Sequence, residues 1–244
     1  MAEDLAFLKA IGSSLLLIGA ILILVSIALP WWSSTLTSEY ASSPQIAATV
    51  VTTDFYPGSS YTVLCLLGCS PISSTQTYGS YFPNVGHIYG DVYWLLIGAG
   101  VVALAGASLG FMRVFAKFGR RHLIVTCAVA IASIVMAVAI PCWTAFAQPG
   151  TFNQDAASNS ALCWSGSSPC NSFFGGGVSQ GPPFSTTYTW GPGAGWYLDI
   201  IGAVLATIGV IVLFIIYRGT YSSPNELPPS DAMEGEPHPG VEAP

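Results

Sequence analysis

The chain has 244 residues, of which 52% are hydrophobic and only 7% are charged. A soluble domain usually carries about a quarter charged residues, so this composition indicates a membrane protein. The net charge is −6, and nothing in the chain is basic enough to indicate a nucleic-acid-binding protein.

Long apolar runs recur along the chain and predict four transmembrane helices, at about residues 10–29, 93–112, 123–143 and 196–217. At about 1.5 Å per residue, each run can cross a hydrocarbon core of about 30 Å. The first run could instead be an uncleaved signal sequence. However, it is too long for the apolar part of one, and Pro-Trp-Trp follows where small residues would permit cleavage.

The six Lys and Arg residues all lie outside the two long loops, in the head, in the stretch between the second and third apolar runs, or directly before the tail. Four of them belong to one short stretch: Arg113, Lys117, Arg120 and Arg121. Positive charge in short loops stays on the cytoplasmic side, so these residues predict cytoplasmic termini in a multi-pass protein, which we assign to the plasma membrane. The two long loops, 33–90 and 147–195, are then extracellular. Residues 219–244 are acidic and rich in proline, and we expect a disordered cytoplasmic tail there, after a membrane domain at 1–218.

The two outer loops are rich in Ser, Thr, Tyr, Gly and Pro. In the first loop, β-forming residues predict strands at 45–53 and 60–67, with a Pro57-Gly58 turn between them and a weaker strand at 73–82. We expect a small extracellular antiparallel sheet formed by the outer loops.

Each outer loop contains two cysteines: Cys65 and Cys69 in the first, Cys163 and Cys170 in the second. Outside the cell such residues form disulfides, and we favour one bridge within each loop over a pairing between the loops. A zinc site is less favoured, because His87 is the only histidine in these loops.

Asp199 interrupts the fourth apolar run. A carboxyl within a membrane segment suggests a function by default. Asp199, however, is only about one turn inside the predicted outer boundary. We favour a structural role, in which the side chain reaches water or a backbone amide of an outer loop.

Three short segments at the outer ends of the helices resemble claudins and the peripheral myelin protein superfamily. They are Leu24–Trp32 with Pro30 and Trp32, Ala139–Ala145 with Pro141, Cys142 and Trp143, and Gly195–Leu198. The resemblance implies a left-handed four-helix bundle beneath an extracellular sheet, with Trp32, Cys65 and Cys69 as its Trp-Cys-Cys element. The loops depart from the claudin pattern, since Thr62-Val63-Leu64 stands where claudins have Gly-Leu-Trp. A distant claudin-like protein is therefore expected, and tight-junction function is not implied.

Two classes of function remain. The first is a non-enzymatic tetraspan protein in adhesion, barrier formation or an accessory-subunit role, with no cofactor, metal or small-molecule substrate. Its partners are the lipid bilayer and another membrane protein or a second copy. The alternative is a thiol-disulfide oxidoreductase that uses the loop cysteines, but its thiolate would need nearby positive charge, and neither outer loop contains Lys or Arg.

The outer surface is predicted to be acidic and aromatic. Glu39, Asp54, Asp91 and Asp155 are its charged residues. Aromatic residues are enriched at protein contacts, so we predict an interaction surface of Tyr81, Phe82, Phe173 and Phe174. Three glycines follow Phe174, which predicts a mobile loop tip.

Overall fold

The computed structural model describes residues 2–40, 49–66, 73–79, 81–115, 120–158, 169–181 and 184–221. They form four long helices: α1 (Ala2–Ser26), α2 (Pro83–Phe115), α3 (Arg120–Ser158) and α4 (Ala194–Tyr221). Each contains a segment long and apolar enough to cross a membrane, at Ala6–Ser26, Pro83–Met112, Ile124–Ala157 and Ala194–Ile216. The predicted number of membrane helices is thereby confirmed.

The helices extend beyond their predicted bounds, most of all where α2 begins and α3 ends. α2 starts at Pro83 rather than near residue 93, and α3 continues to Ser158 rather than ending near residue 143. With 39 residues, α3 is ~58 Å long, about twice the thickness of a hydrocarbon core. Hydropathy identifies only the part of a helix that lies in lipid. It therefore missed the more polar helical turns at the ends of α2 and α3, which pack against other parts of the protein. The loop bounds 33–90 and 147–195 were therefore wrong at these ends.

The far end of α4 also differs from the prediction. This helix runs to Tyr221, slightly into the predicted tail of 219–244. Residues 222–244 lie outside the described residues, so the predicted disorder of the tail stays a prediction.

Both loops contribute to one six-stranded sheet, as predicted. Its strands are β1 (Trp32–Tyr40), β2 (Thr49–Tyr56), β3 (Ser60–Leu66), β4 (Ser73–Thr77), β5 (Gly175–Gly181) and β6 (Phe184–Pro192). The order is β4-β3-β2-β1-β6-β5, and every neighbouring pair is antiparallel. The predicted turn at Pro57-Gly58 joins β2 to β3, and Gly58 there has a φ of 89° that favours glycine.

The strand predictions were correct only in part. β1 and the hairpin of β5 and β6 were not located, because their Ser, Thr and Gly residues resemble those of a loop. The third predicted strand, 73–82, ends at Thr77 because the chain turns there and enters α2 at Pro83.

Glycines bring α1 and α4 into close contact. Gly12 and Gly19 of α1 face Gly209 and Gly202 of α4. A Cβ added at Gly19 would lie 2.6 Å from the carbonyl oxygen of Gly202, and one added at Gly209 would lie 2.7 Å from that of Gly12. Only glycine fits at such distances, so these four positions let the two backbones touch.

The sheet and the basic residues lie at opposite ends of the helices. α1 leads into β1, α2 follows β4, α3 precedes β5, and α4 follows β6, so all connections to the sheet are at one end. The basic residues of the described helices lie near the other end: Lys9, Arg113, Arg120, Arg121 and Arg218. Lys117 lies outside the described residues.

Candidate functional site

A layer of aromatic rings joins the sheet to the helices. The antiparallel register places Trp32 opposite Phe55 and Phe55 opposite Tyr61, on one face of the sheet. Phe55 lies 5.2 Å from Trp32 and 5.5 Å from Phe152 of α3, measured between ring centroids. Tyr78 stacks on Tyr89 of α2 at 5.8 Å, with the two ring planes only 6° apart. Because these rings are almost fully buried, the sheet and the helix ends share one core.

Asp155 fixes the end of α3 to the start of α2. Its Oδ1 accepts hydrogen bonds from the backbone N–H of Asn84 at 3.0 Å and from the Asn84 side chain at 2.7 Å. Its Oδ2 accepts the backbone N–H of Val85 at 3.0 Å. Pro83 has no N–H, so the first-turn donors of α2 are satisfied by a carboxylate from another helix.

The prediction that Asp155 is one of the charges of the outer surface was wrong. Asp155 is fully buried, and it is a helix cap rather than a surface charge. Glu39 and Asp54 are half-buried, and Asp91 is exposed. Desolvation raises the pKa of the Asp54 carboxyl above its ordinary value.

Two of the four predicted contact residues belong to the core. Phe173 is only 7% exposed; its carbonyl accepts the indole N–H of Trp32 at 2.7 Å, and its ring lies 5.8 Å from that of Trp196. Phe82 is 9% exposed and packs edge-on against Phe55. The predicted mobile tip was also wrong, because the glycines after Phe174 form the start of β5.

The other two predicted contact residues are accessible. Tyr81 is 58% exposed before α2, and Phe174 is 71% exposed before β5. Val178 is 61% exposed. Phe174 comes directly before β5, and Val178 lies within that strand.

The residues of the claudin-like segments hold the helix ends together. The carbonyl of Pro30 accepts the backbone N–H of Gly195 at 2.8 Å, which ties the end of α1 to the start of α4. The indole N–H of Trp196 donates to the carbonyl of Pro141 at 3.2 Å and so ties α4 to α3. Trp143 is partly exposed, and Cys142 is an exposed free thiol.

The cysteines of the loops are only partly described. Cys170 is buried and disulfide-bonded, whereas Cys127 and Cys142 do not form disulfides. Cys69 and Cys163 lie outside the described residues, as does the side chain of Cys65. The pairing within each loop therefore stays a prediction.

Asp199 does not have the surroundings predicted for it. Its side chain is fully buried, and neither carboxyl oxygen has a hydrogen-bond partner among the described residues. The expectation that it reaches water or a loop amide was wrong, because the neighbouring helices enclose it.

A shallow cavity of about 220 Å³ lies beside the start of α2 and is lined by Ser59, Tyr78, Gly79, Pro83, Gly86 and His87. Within the described parts of the chain, no three His, Cys, Asp or Glu side chains come together in a way that could hold a metal ion.

No protein-family model matches the chain, and no curated protein matches it significantly.

Proposed function

We propose that this chain is a non-enzymatic, claudin-like tetraspan protein of the plasma membrane. Its sheet is extracellular and forms a contact surface for another membrane protein or a second copy, in adhesion, barrier formation or an accessory-subunit role. The observation that carries this proposal is the 71% exposure of Phe174 beside a sheet in which Trp32, Phe55, Tyr61 and Trp190 are buried in a core shared with the helices. A large apolar side chain presented on a rigid support is typical of an interface anchor.

The arrangement of charge supports the orientation. All the basic residues of the described helices lie at the ends away from the sheet, as the positive-inside rule requires for a cytoplasmic face. The termini are then cytoplasmic.

The glycine contacts support a left-handed bundle. Gly12 and Gly19 are seven residues apart, and so are Gly202 and Gly209. A seven-residue repeat at a helix contact is the pattern of left-handed supercoiling. Strands from both loops pair in one sheet. This supports the claudin-like arrangement suggested by the sequence, in which the outer loops form one sheet.

The oxidoreductase alternative has less support. Cys170 is buried, and a buried disulfide is poorly accessible to an attacking thiolate. Neither predicted outer loop contains a Lys or Arg residue that could stabilise a thiolate.

Native mass spectrometry and crosslinking in native-lipid particles test the contact surface. Phe174→Ala should abolish association and leave thermal unfolding unchanged, because the ring is largely exposed. Ser73→Ala, an exposed position on the edge strand at the other side of the sheet, should leave association intact. Phe173→Ala should instead lower stability, since it removes a buried ring. A wild-type chain that stays monomeric and without partners in native lipid would contradict the proposal.

A further inference from the structure

The position of Asp199 follows from its neighbours on α4. A Cβ added at Gly195 would lie 2.7 Å from the carbonyl oxygen of Ser26, and one added at Gly202 would lie 3.2 Å from the backbone nitrogen of Ile23. Asp199 comes four residues after Gly195 and three before Gly202, so all three lie on about the same face of the helix. Asp199 therefore lies level with the last turn of α1.

Within the described part of the chain, no polar group compensates the carboxyl of Asp199. It is fully buried, and both of its oxygens lack hydrogen-bond partners among the described residues. Lys9, the only basic residue of α1, precedes Ser26 by seventeen residues, which is ~25 Å along the helix. A buried carboxylate without a partner is costly in an apolar interior, so this burial points to a ligand that compensates the charge.

Uncharged oxygens of two other helices lie at the same level. Ser26 is fully buried, and its hydroxyl donates to the carbonyl of Ile23 at 2.7 Å, which leaves its oxygen able to act as a ligand. The last turn of α1 is also the negative end of its helix dipole, which favours a cation nearby.

The third helix contributes a carbonyl that has lost its usual partner. Pro141 lies inside α3 and has no N–H, so it cannot bond to the carbonyl of Ala137, a fully buried residue. The hydrogen bond from Trp196 to Pro141 places these two residues side by side. Ala137 precedes Pro141 in α3 by about one turn, and Asp199 follows Trp196 in α4 by about one turn. Because α3 and α4 run in opposite directions, both residues lie about one turn farther from the sheet than the contact between Trp196 and Pro141.

We propose that the carboxylate of Asp199, the hydroxyl of Ser26 and the carbonyl of Ala137 form a binding site for a monovalent alkali cation. Oxygen ligands of this kind suit hard cations. A single positive charge neutralises a single carboxylate, whereas a divalent ion would leave net charge in an apolar interior. Glu39, a half-buried acidic residue of β1, attracts cations to this end of the bundle. The inference does not depend on the proposed function.

Purified full-length chain in lipid nanodiscs tests the site with Na⁺ as the probe. Thermal unfolding is compared in sodium chloride and N-methylglucamine chloride at equal ionic strength, and binding of radioactive Na⁺ is measured directly. In the wild type, the unfolding temperature should rise with the logarithm of the Na⁺ concentration, and binding should saturate. Asp199→Asn keeps the shape of the side chain and should abolish both effects. Ser26→Ala should weaken Na⁺ binding about tenfold.

Asp91→Asn is the matched control, because it removes an exposed carboxylate and should leave Na⁺ binding unchanged. Wild-type protein that binds no Na⁺, or that responds to pH and not to Na⁺, would overturn the proposal. So would an Asp199→Asn variant that binds Na⁺ as the wild type does. If that variant does not fold, direct binding to the wild type and to Ser26→Ala decides the question.

Discussion

Replacement of Asp155 by alanine should destabilise the junction between α2 and α3. The change removes the acceptor for two backbone N–H groups, those of Asn84 and Val85, and for the Asn84 side chain. A buried donor left without a partner costs about 1–3 kcal/mol, so the two backbone donors together predict a loss of about 2–6 kcal/mol. An ordinary helix cap contributes only about 1 kcal/mol, because water can replace it.

The free energy of unfolding of wild type and variants in one detergent measures this loss. Asn84→Ala removes only the side-chain donor and should cost less than Asp155→Ala. Asp155→Asn keeps one acceptor oxygen and should fall between the wild type and Asp155→Ala. An Asp155→Ala variant within about 0.5 kcal/mol of the wild type would refute this account, because that is the range of ordinary surface substitutions.

Three further predictions follow from other parts of the chain. Gly202→Ala should lower the unfolding temperature, because the added Cβ would lie 2.8 Å from the carbonyl oxygen of Gly19. Gly98→Ala is the control and should leave the unfolding temperature unchanged, because no atom lies within 4 Å of its added Cβ. Equal effects of the two substitutions would contradict the close packing of α1 and α4. The pKa of Asp54 is raised by desolvation, so its ionised form is disfavoured on folding. Asp54→Asn should therefore raise the unfolding temperature at about pH 7 and have no such effect at about pH 3, where the carboxyl is protonated in both states; a gain that persists at low pH would exclude this cause. Cysteines introduced at Ser73 should react with an impermeant maleimide on intact cells and those at Lys117 should not; labelling of Lys117 from outside would reverse the proposed orientation.

The sequence determined the parts of the fold that depend on composition along a continuous stretch. About twenty uncharged apolar residues predict a membrane helix wherever they occur. Hydrocarbon cannot form hydrogen bonds with backbone N–H and C=O groups, so these groups must bond to each other within a helix. The approximate places of β2, β3 and β4 were also predictable, since their β-forming residues and the Pro57-Gly58 turn are local signals. Pro83 is a helix-start signal in the sequence, but an apolar-run criterion placed the start of α2 near residue 93.

The tertiary structure decided everything that depends on two distant segments meeting. Asp155 is far from Asn84 in the sequence, and only the fold shows that it caps α2 rather than carrying charge at the surface. Phe173 and Phe174 are adjacent and identical in type, yet Phe173 is buried in the core and Phe174 is exposed, and only the tertiary structure distinguishes them. The position of Asp199 near a helix end predicts access to water. In the fold its side chain is fully buried, and its carboxyl has no hydrogen-bond partner among the described residues.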